Sequence, residues 1–140
     1  MKKLEYDPNE LSQKALGLLE QNKFLEASDI FDRLLKDFND NVQLINLTAF
    51  CYMSLKDFKK SENLYLKSLE IENSQNEAKF NLAIIKSELK KLDEAILIYE
   101  ELREHDAKNV HVLINLSNIY QDQGEYDKSY RLLLYVIKRL

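Results

Sequence analysis

Apolar residues follow helical spacing along this chain, interrupted by short polar breaks, the pattern of helices that each bury one face. Breaks at Gln21-Asn22-Lys23, Lys56-Asp57, Lys90-Lys91 and Gln123-Gly124-Glu125 alternate with others at Asn39-Asp40-Asn41, Asn73-Ser74 and Asp106-Ala107-Lys108-Asn109. The pattern predicts eight helices, near 8–21, 24–37, 42–55, 58–71, 76–89, 92–105, 110–123 and 126–139. Links this short make consecutive helices antiparallel neighbours. Asp7 can cap the first helix, Pro8 suits its first position, and Glu10 sits where a capping box wants a carboxylate.

The helices repeat in pairs with a step of 34 residues. Small residues recur at Ala15, Ala49, Ala83 and Ser117, and again at Ala27, Ser61, Ala95 and Ser129. Large ones recur at Phe24, Phe58, Leu92 and Tyr126, and at Phe31, Tyr65, Tyr99 and Leu133. A fixed period of this size marks a stacked-repeat architecture, in which each unit closes its core only against its neighbours. The phasing gives an N-terminal extension and cap over 1–7 and one domain over 8–140, with repeats 8–41, 42–75, 76–109 and 110–140. Small residues let the two helices of a pair approach closely. An aromatic at the start of the second helix, such as Phe58 or Tyr126, is expected to plug the gap beside that approach. Gly124 occupies an intra-repeat turn, where a left-handed backbone costs other residues more.

These columns resemble the tetratricopeptide repeat (TPR) family, whose helix–turn–helix unit is 34 residues long. In the fourth copy Leu113, Leu116, Ser117, Tyr120, Gly124, Tyr126, Ser129 and Leu133 fall on the family's motif in order. In the second copy Ile45, Ala49, Tyr52, Phe58, Ser61 and Tyr65 do so. The chain departs from the motif in lacking its proline and tryptophan. It also places Lys14, Lys79 and Lys86 at apolar positions. The resemblance spans 8–140 and implies an all-α, right-handed superhelical solenoid of four repeats. In that family the first helices line a concave groove for an extended peptide or a helix. Mapped here, the groove takes Ser12, Leu16, Leu19 and Glu20 from the first copy and Gln43, Asn46, Phe50, Met53 and Ser54 from the second. It takes Glu77, Phe80, Ile84, Ser87 and Glu88 from the third and His111, Ile114, Asn118, Gln121 and Asp122 from the fourth. The floor is apolar and the edge acidic, which implies an apolar, basic protein segment as partner. The alternative is that these side chains pack laterally between neighbouring first helices. The Lys and Asn of the family's carboxylate clamp are absent, Ser12 and Leu16 standing in the first repeat instead.

Composition narrows the chemistry further. With 140 residues, 45% of them hydrophobic, the chain can build a real core, and two glycines and one proline suit neither a turn-rich β fold nor a disordered tail. A net charge of −4 with scattered Lys and Arg argues against nucleic acid, and the lack of a signal-peptide pattern or a run of about 20 apolar residues argues against a membrane. A cytoplasmic protein is expected. The one cysteine, Cys51, excludes a disulfide framework and reads as packing; His105 and His111 flank a turn with no ligand set around them. The stretch from Asp37 to Asn41 starts like a calcium loop, but Val42 replaces the loop's glycine and Thr48 its glutamate, so capping between repeats explains it better. No metal, cofactor or catalytic role is expected, so the chain reads as a non-enzymatic interaction scaffold or adaptor.

The last helix suggests a second role, because it is apolar nearly all round. Leu134 and Tyr135 stand where earlier second helices carry Asp32 and Arg33 or Glu100 and Glu101. Tyr130, Leu134, Tyr135 and Ile137 form a candidate homodimer or assembly interface, a terminal repeat being expected to show a polar outer face. A small chaperone resembling the repeat-built chaperones of bacterial secretion systems is a further alternative.

Overall fold

The computed structural model describes residues 3–140. It contains eight helices and, among the described residues, no strand: α1 (Pro8–Glu20), α2 (Phe24–Asp37), α3 (Val42–Ser54), α4 (Phe58–Ile71), α5 (Asn76–Glu88), α6 (Leu92–His105), α7 (Val110–Asp122) and α8 (Tyr126–Ile137). Every helix begins at the predicted residue. The first helix of each pair stops one residue early, and α8 two. Of the predicted N-terminal extension, 1–7, the first two residues lie outside the described residues. The chain divides into two compact units, one ending at Ser74 and holding α1–α4, the other running from Gln75 to Leu140 and holding α5–α8.

Each pair closes through the same turn. Asn22, Lys56, Lys90 and Gly124 occupy one position of the repeat, and all four have positive φ, between 57° and 77°. The next residue's N–H then reaches back to the carbonyl five residues earlier: Lys23 to Leu18, Asp57 to Tyr52, Lys91 to Lys86 and Glu125 to Tyr120, at 2.8–2.9 Å. This satisfies carbonyls that the end of a helix would otherwise leave open. The starts of α1, α3, α4 and α7 are held by side chains. Asp7 accepts from the Asn9 N–H at 2.9 Å, Asn41 from Leu44 at 3.0 Å, and Asn109 from His111 and Val112 at 3.1 and 3.3 Å. The capping reading of the Asp37–Asn41 stretch is thereby met at Asn41.

The small columns meet inside each pair. Ala15, Ala27, Ala49, Ser61, Ala83, Ala95 and Ser117 are fully buried, and Ser129 nearly so. Where the crossing carries serine, the hydroxyl finds a partner across it. Ser61 Oγ donates to the Ala49 carbonyl at 2.6 Å, and the Ser117 and Ser129 hydroxyls share a bond of 2.8 Å. The large column is also buried at Phe31, Tyr65 and Tyr99, but its fourth member, Leu133, is 37% exposed. The aromatic at the start of the second helix behaves differently from the expectation. Phe24 reaches forward to the following repeat, its ring T-stacked on Phe50 of α3 at 6.1 Å, and Tyr126 is 66% exposed. The ring of Phe24 therefore contributes to the joint between repeats.

Two of the motif's lysine departures are explained by side-chain length. Lys79 and Lys86 bury their stems within the second unit and send their ammonium groups to Glu101 and Glu94 of α6, at 2.7 and 3.4 Å. Lys14, by contrast, is exposed. Within each unit a polar latch ties the second helix of one repeat to the first helix of the next. In the first unit Tyr52 donates to Asp32 while Lys60 lies over the Tyr52 ring, 4.1 Å from its centroid. In the second, Tyr120 donates to Glu100 at 3.2 Å and Lys128 lies 5.3 Å over the Tyr120 ring.

The recurring left-handed turn yields a test. A left-handed backbone costs a residue with a Cβ about 1–2 kcal/mol, and part of that is recovered by glycine. Lys90→Gly should raise unfolding stability by about 0.5–1 kcal/mol. Gly124→Ala, whose Cβ would meet nothing within 4 Å, should lower it by about 1 kcal/mol through the backbone alone. Urea unfolding followed by circular dichroism measures both.

Candidate functional site

The predicted groove residues lie on first helices, and the two units present them differently. In the first unit Leu16 and Phe50 are exposed at 36% and 38%, Phe50 being braced by the ring of Phe24. Leu19 is half-buried against the core formed by Ala15, Ala27, Phe31, Leu34 and Cys51. Asn46 and Met53 are half-buried and Glu20 is exposed. A depression of about 300 Å³ lies over the start of α1, the end of α2 and the start of α3. Ser12, Leu16 and Gln43 are the predicted residues in its lining, beside Phe31, Leu34, Leu44 and Leu47.

The second unit gathers the prediction more tightly. Ile84, Glu88, Asn118 and Asp122 line one cavity of about 270 Å³ between α5 and α7, joined by Ser87, Asn115, Ile119 and Tyr99. Tyr99 and Ile119 are not among the predicted residues. Tyr99 belongs to the buried aromatic column, and that position is the signal that could have placed it beneath the cavity. Its hydroxyl accepts from Asn115 Nδ2 at 3.1 Å, and its ring stacks edge-on with Phe80 at 5.9 Å. The bottom of the cavity is thus fixed by packing. Its mouth carries two carboxylates, Glu88 and Asp122, and no cationic side chain is among the residues lining it. Ile114 is 37% exposed on α7. Phe80 lines a separate cavity of about 280 Å³ with Glu77, Leu102, His105, Asp106, Asn109, His111 and Val112. Both histidines are there, yet among the described residues no three His, Cys, Asp or Glu side chains gather as a metal site.

The residues proposed for the last helix separate into two sets. Tyr130 and Ile137 are about two-thirds exposed, at 64% and 63%. Leu134 and Tyr135 are half-buried, with Tyr135 packed against the second unit's core. The residues that share the outward face with Tyr130 and Ile137 are Tyr126 and Leu133, at 66% and 37%. Composition marks the helix as apolar but does not give its rotation.

The matching family model is described as the coatomer epsilon subunit and covers residues 10–97. The chain belongs to this family of TPR-like helical repeats. No curated protein matches it in sequence. Among solved structures it is similar to MamA, residues 41 to the end, from Desulfovibrio magneticus RS-1. The TM-score is 0.88 and the identity 14%, over 94% of this chain and 75% of that one. It is similar also to MamA of MSR-1, with a TM-score of 0.85 and 14% identity over 96% of this chain and 79% of that one. A third likeness is to MamA of AMB-1, with a TM-score of 0.84 and 16% identity over 95% and 73%. At such identities the likeness is one of fold, an all-α repeat of TPR type.

Burial holds two titratable groups of the core, Cys51 and Tyr99, in their neutral forms. Cys51 is fully buried, and burial, aided by the charge of Asp32, pushes its thiol up from 9.0 to about 11. Burial likewise pushes Tyr99 from 10.0 up to about 12, against a smaller lowering from the Asn115 hydrogen bond. A thiol so protonated is a poor nucleophile at neutral pH. Both values are raised in the folded state, so both contributions to stability are complete below the unfolded values and are lost as pH rises through the folded ones. The urea midpoint should therefore fall as pH climbs from about 9 toward about 12. At a pH of about 7.5 a disulfide reagent should label Cys51 no faster than the protein opens. Labelling of the native protein at the rate of a free thiol would contradict the burial.

Proposed function

We propose that this protein is a non-catalytic interaction scaffold whose four copies are tetratricopeptide repeats proper. Its first helices receive an apolar, basic peptide or helix from a partner protein. The observation that carries this reading is the convergence of Ile84, Glu88, Asn118 and Asp122 on one cavity of the second unit. An aliphatic wall, amide groups and two carboxylates suit a segment that alternates apolar and Lys or Arg side chains. The apolar wall supplies burial, while the acids guide encounter and select against acidic competitors. The asparagines add orientation, since an amide can both donate and accept. Membership of a TPR-like repeat family and the fold shared with MamA support the scaffold role at the coarse level. Among the described residues no helix is long and apolar enough to cross a membrane. The net charge of −4 fits a protein partner better than a nucleic acid.

Fluorescence anisotropy with labelled peptides tests the reading. A leucine–lysine peptide should bind, and its leucine–glutamate counterpart should bind at least about tenfold more weakly. Glu88→Lys with Asp122→Lys should reduce leucine–lysine binding about tenfold or more while leaving the melting curve in place. Binding should also weaken as salt rises from about 50 to about 300 mM. Equal binding of both peptides, or undiminished binding by the folded double variant, would remove the acidic cavity from the account.

A further inference from the structure

The outward face of α8 carries an apolar stripe with a specific spacing. Tyr126, Tyr130, Leu133 and Ile137 are separated by four, three and four residues, which is the spacing of a coiled-coil seam. All four are at least a third exposed. Their equivalents on the second helices α2 and α6 are covered. Phe24, Ser28, Phe31 and Leu35 on α2, and Leu92, Ile96, Tyr99 and Arg103 on α6, are all buried or half-buried, α3 covering α2 and α7 covering α6. The stripe is therefore a surface of the kind that receives a helix elsewhere in this molecule.

The other end of the repeat array could not fill it. The face by which α3 and α7 meet the preceding helix bears Leu44, Leu47 and Cys51, or Val112, Asn115 and Ile119. At the same positions α1 bears Glu10, Gln13 and Gly17, with the exposed Lys14 alongside. Head-to-tail stacking of copies would set that polar face against the tyrosines and desolvate Glu10 and Lys14 with nothing gained. The stripe, in contrast, complements itself. Laid antiparallel on a second α8, each layer sets a tyrosine against an aliphatic residue: Tyr126 on Ile137 and Tyr130 on Leu133, each twice. Large side chains then face smaller ones throughout. A parallel pairing would stack tyrosine on tyrosine. The flanking charges agree, because the antiparallel arrangement brings Asp127 of one copy toward Lys138 of the other, whereas the parallel one sets like charges together.

We propose that α8 is a homodimer interface, two copies pairing antiparallel about a two-fold axis through the seam Tyr126, Tyr130, Leu133 and Ile137. With roughly 200 Å² for each fully exposed large side chain, the seam offers about 450 Å² per copy, and Leu134, Arg131 and Leu140 extend it. Two such faces approach the lower end of specific interfaces, about 1,200 Å². The dimer should therefore be reversible, with a dissociation constant on the order of 10 µM.

Sedimentation equilibrium of the full chain over a range of concentrations reads the association directly. Tyr130→Asp with Ile137→Asp, at positions whose exposure leaves the fold intact by circular dichroism, should weaken the dimer at least about thirtyfold. Asp127→Lys alone should weaken it a few-fold, and adding Lys138→Asp should restore it. A wild-type chain that stays monomeric to about 100 µM, or that forms open polymers, overturns the proposal. So does a double-aspartate variant that dimerises as the wild type does. Failure of the charge swap to restore pairing overturns the antiparallel seam. Glu88→Lys with Asp122→Lys should leave the association unchanged, so the fate of the peptide-binding cavity is read separately.

Discussion

The constraint on which the molecule depends is the close crossing of two helices at a pair of small side chains. Ala15 with Ala27, Ala49 with Ser61, Ala83 with Ala95 and Ser117 with Ser129 leave at most 4% of any of these residues exposed. Backbones that approach so closely leave no room for another methylene, and overpacking of that kind costs about 1–3 kcal/mol. The serine-bearing crossings show a second requirement. A hydroxyl inside such a crossing must bond across it, as Ser61 does to Ala49 and Ser117 to Ser129, or it would be a buried polar group without a partner. The large side chain one turn away is buried at Phe31 and Tyr99, which α3 and α7 cover, whereas Leu133 at the same position of the last helix is 37% exposed.

Much of this was legible because small residues recurring at a fixed step point to little besides a close helix crossing. Helix starts were legible too, since Asp7, Asn41 and Asn109 combine position with capping chemistry. Side-chain direction was harder to read. Phe24 and Tyr126 look like plugs in the sequence, yet spacing along one helix does not say which neighbour a ring will meet. The ring of Phe24 meets the next repeat. Lys79 and Lys86 read as defects in an apolar pattern. Their stems are apolar and only their ends are charged, so a partner on α6 removes the conflict. The same limit applies to α8, where composition marks the whole helix as apolar but cannot give its rotation. Tyr135 is accordingly half-buried, and Tyr126 exposed.

A longer step of 68 residues was present in the sequence but is recognisable only with the contacts in view. Tyr52 and Lys60 recur as Tyr120 and Lys128, each tyrosine meeting a carboxylate of the preceding helix, Asp32 or Glu100. The intervening copies carry Leu18 with Glu26, or Lys86 with Glu94, so they bring no tyrosine to that joint. The alternation falls once within each compact unit. Each unit thus holds one polar latch between its two repeats, in addition to the apolar contact that any pair of repeats makes. A phenol suits this place because its ring remains in the apolar layer while its hydroxyl reaches the carboxylate. The lysine above the ring then offsets the carboxylate's charge without burial of its own.

The division of labour between columns bears on where specificity can reside. Residues at the crossings and in the aromatic column are dictated by packing and are inaccessible, so they carry little information about a partner. What differs from copy to copy is the exposed face of the first helices and the outward face of the last. In the second unit those two kinds of position touch, because Tyr99 is at once a core residue and the base of the cavity that Glu88 and Asp122 rim. A side chain in that cavity would rest on a phenol held by Asn115 and by the ring of Phe80, neither of which can move without disturbing the core. The cavity floor is therefore pre-organised by the same packing that makes the fold, which lowers the ordering cost of binding. Its acidic rim, being solvated and unconstrained by that packing, is free to be tuned to a ligand.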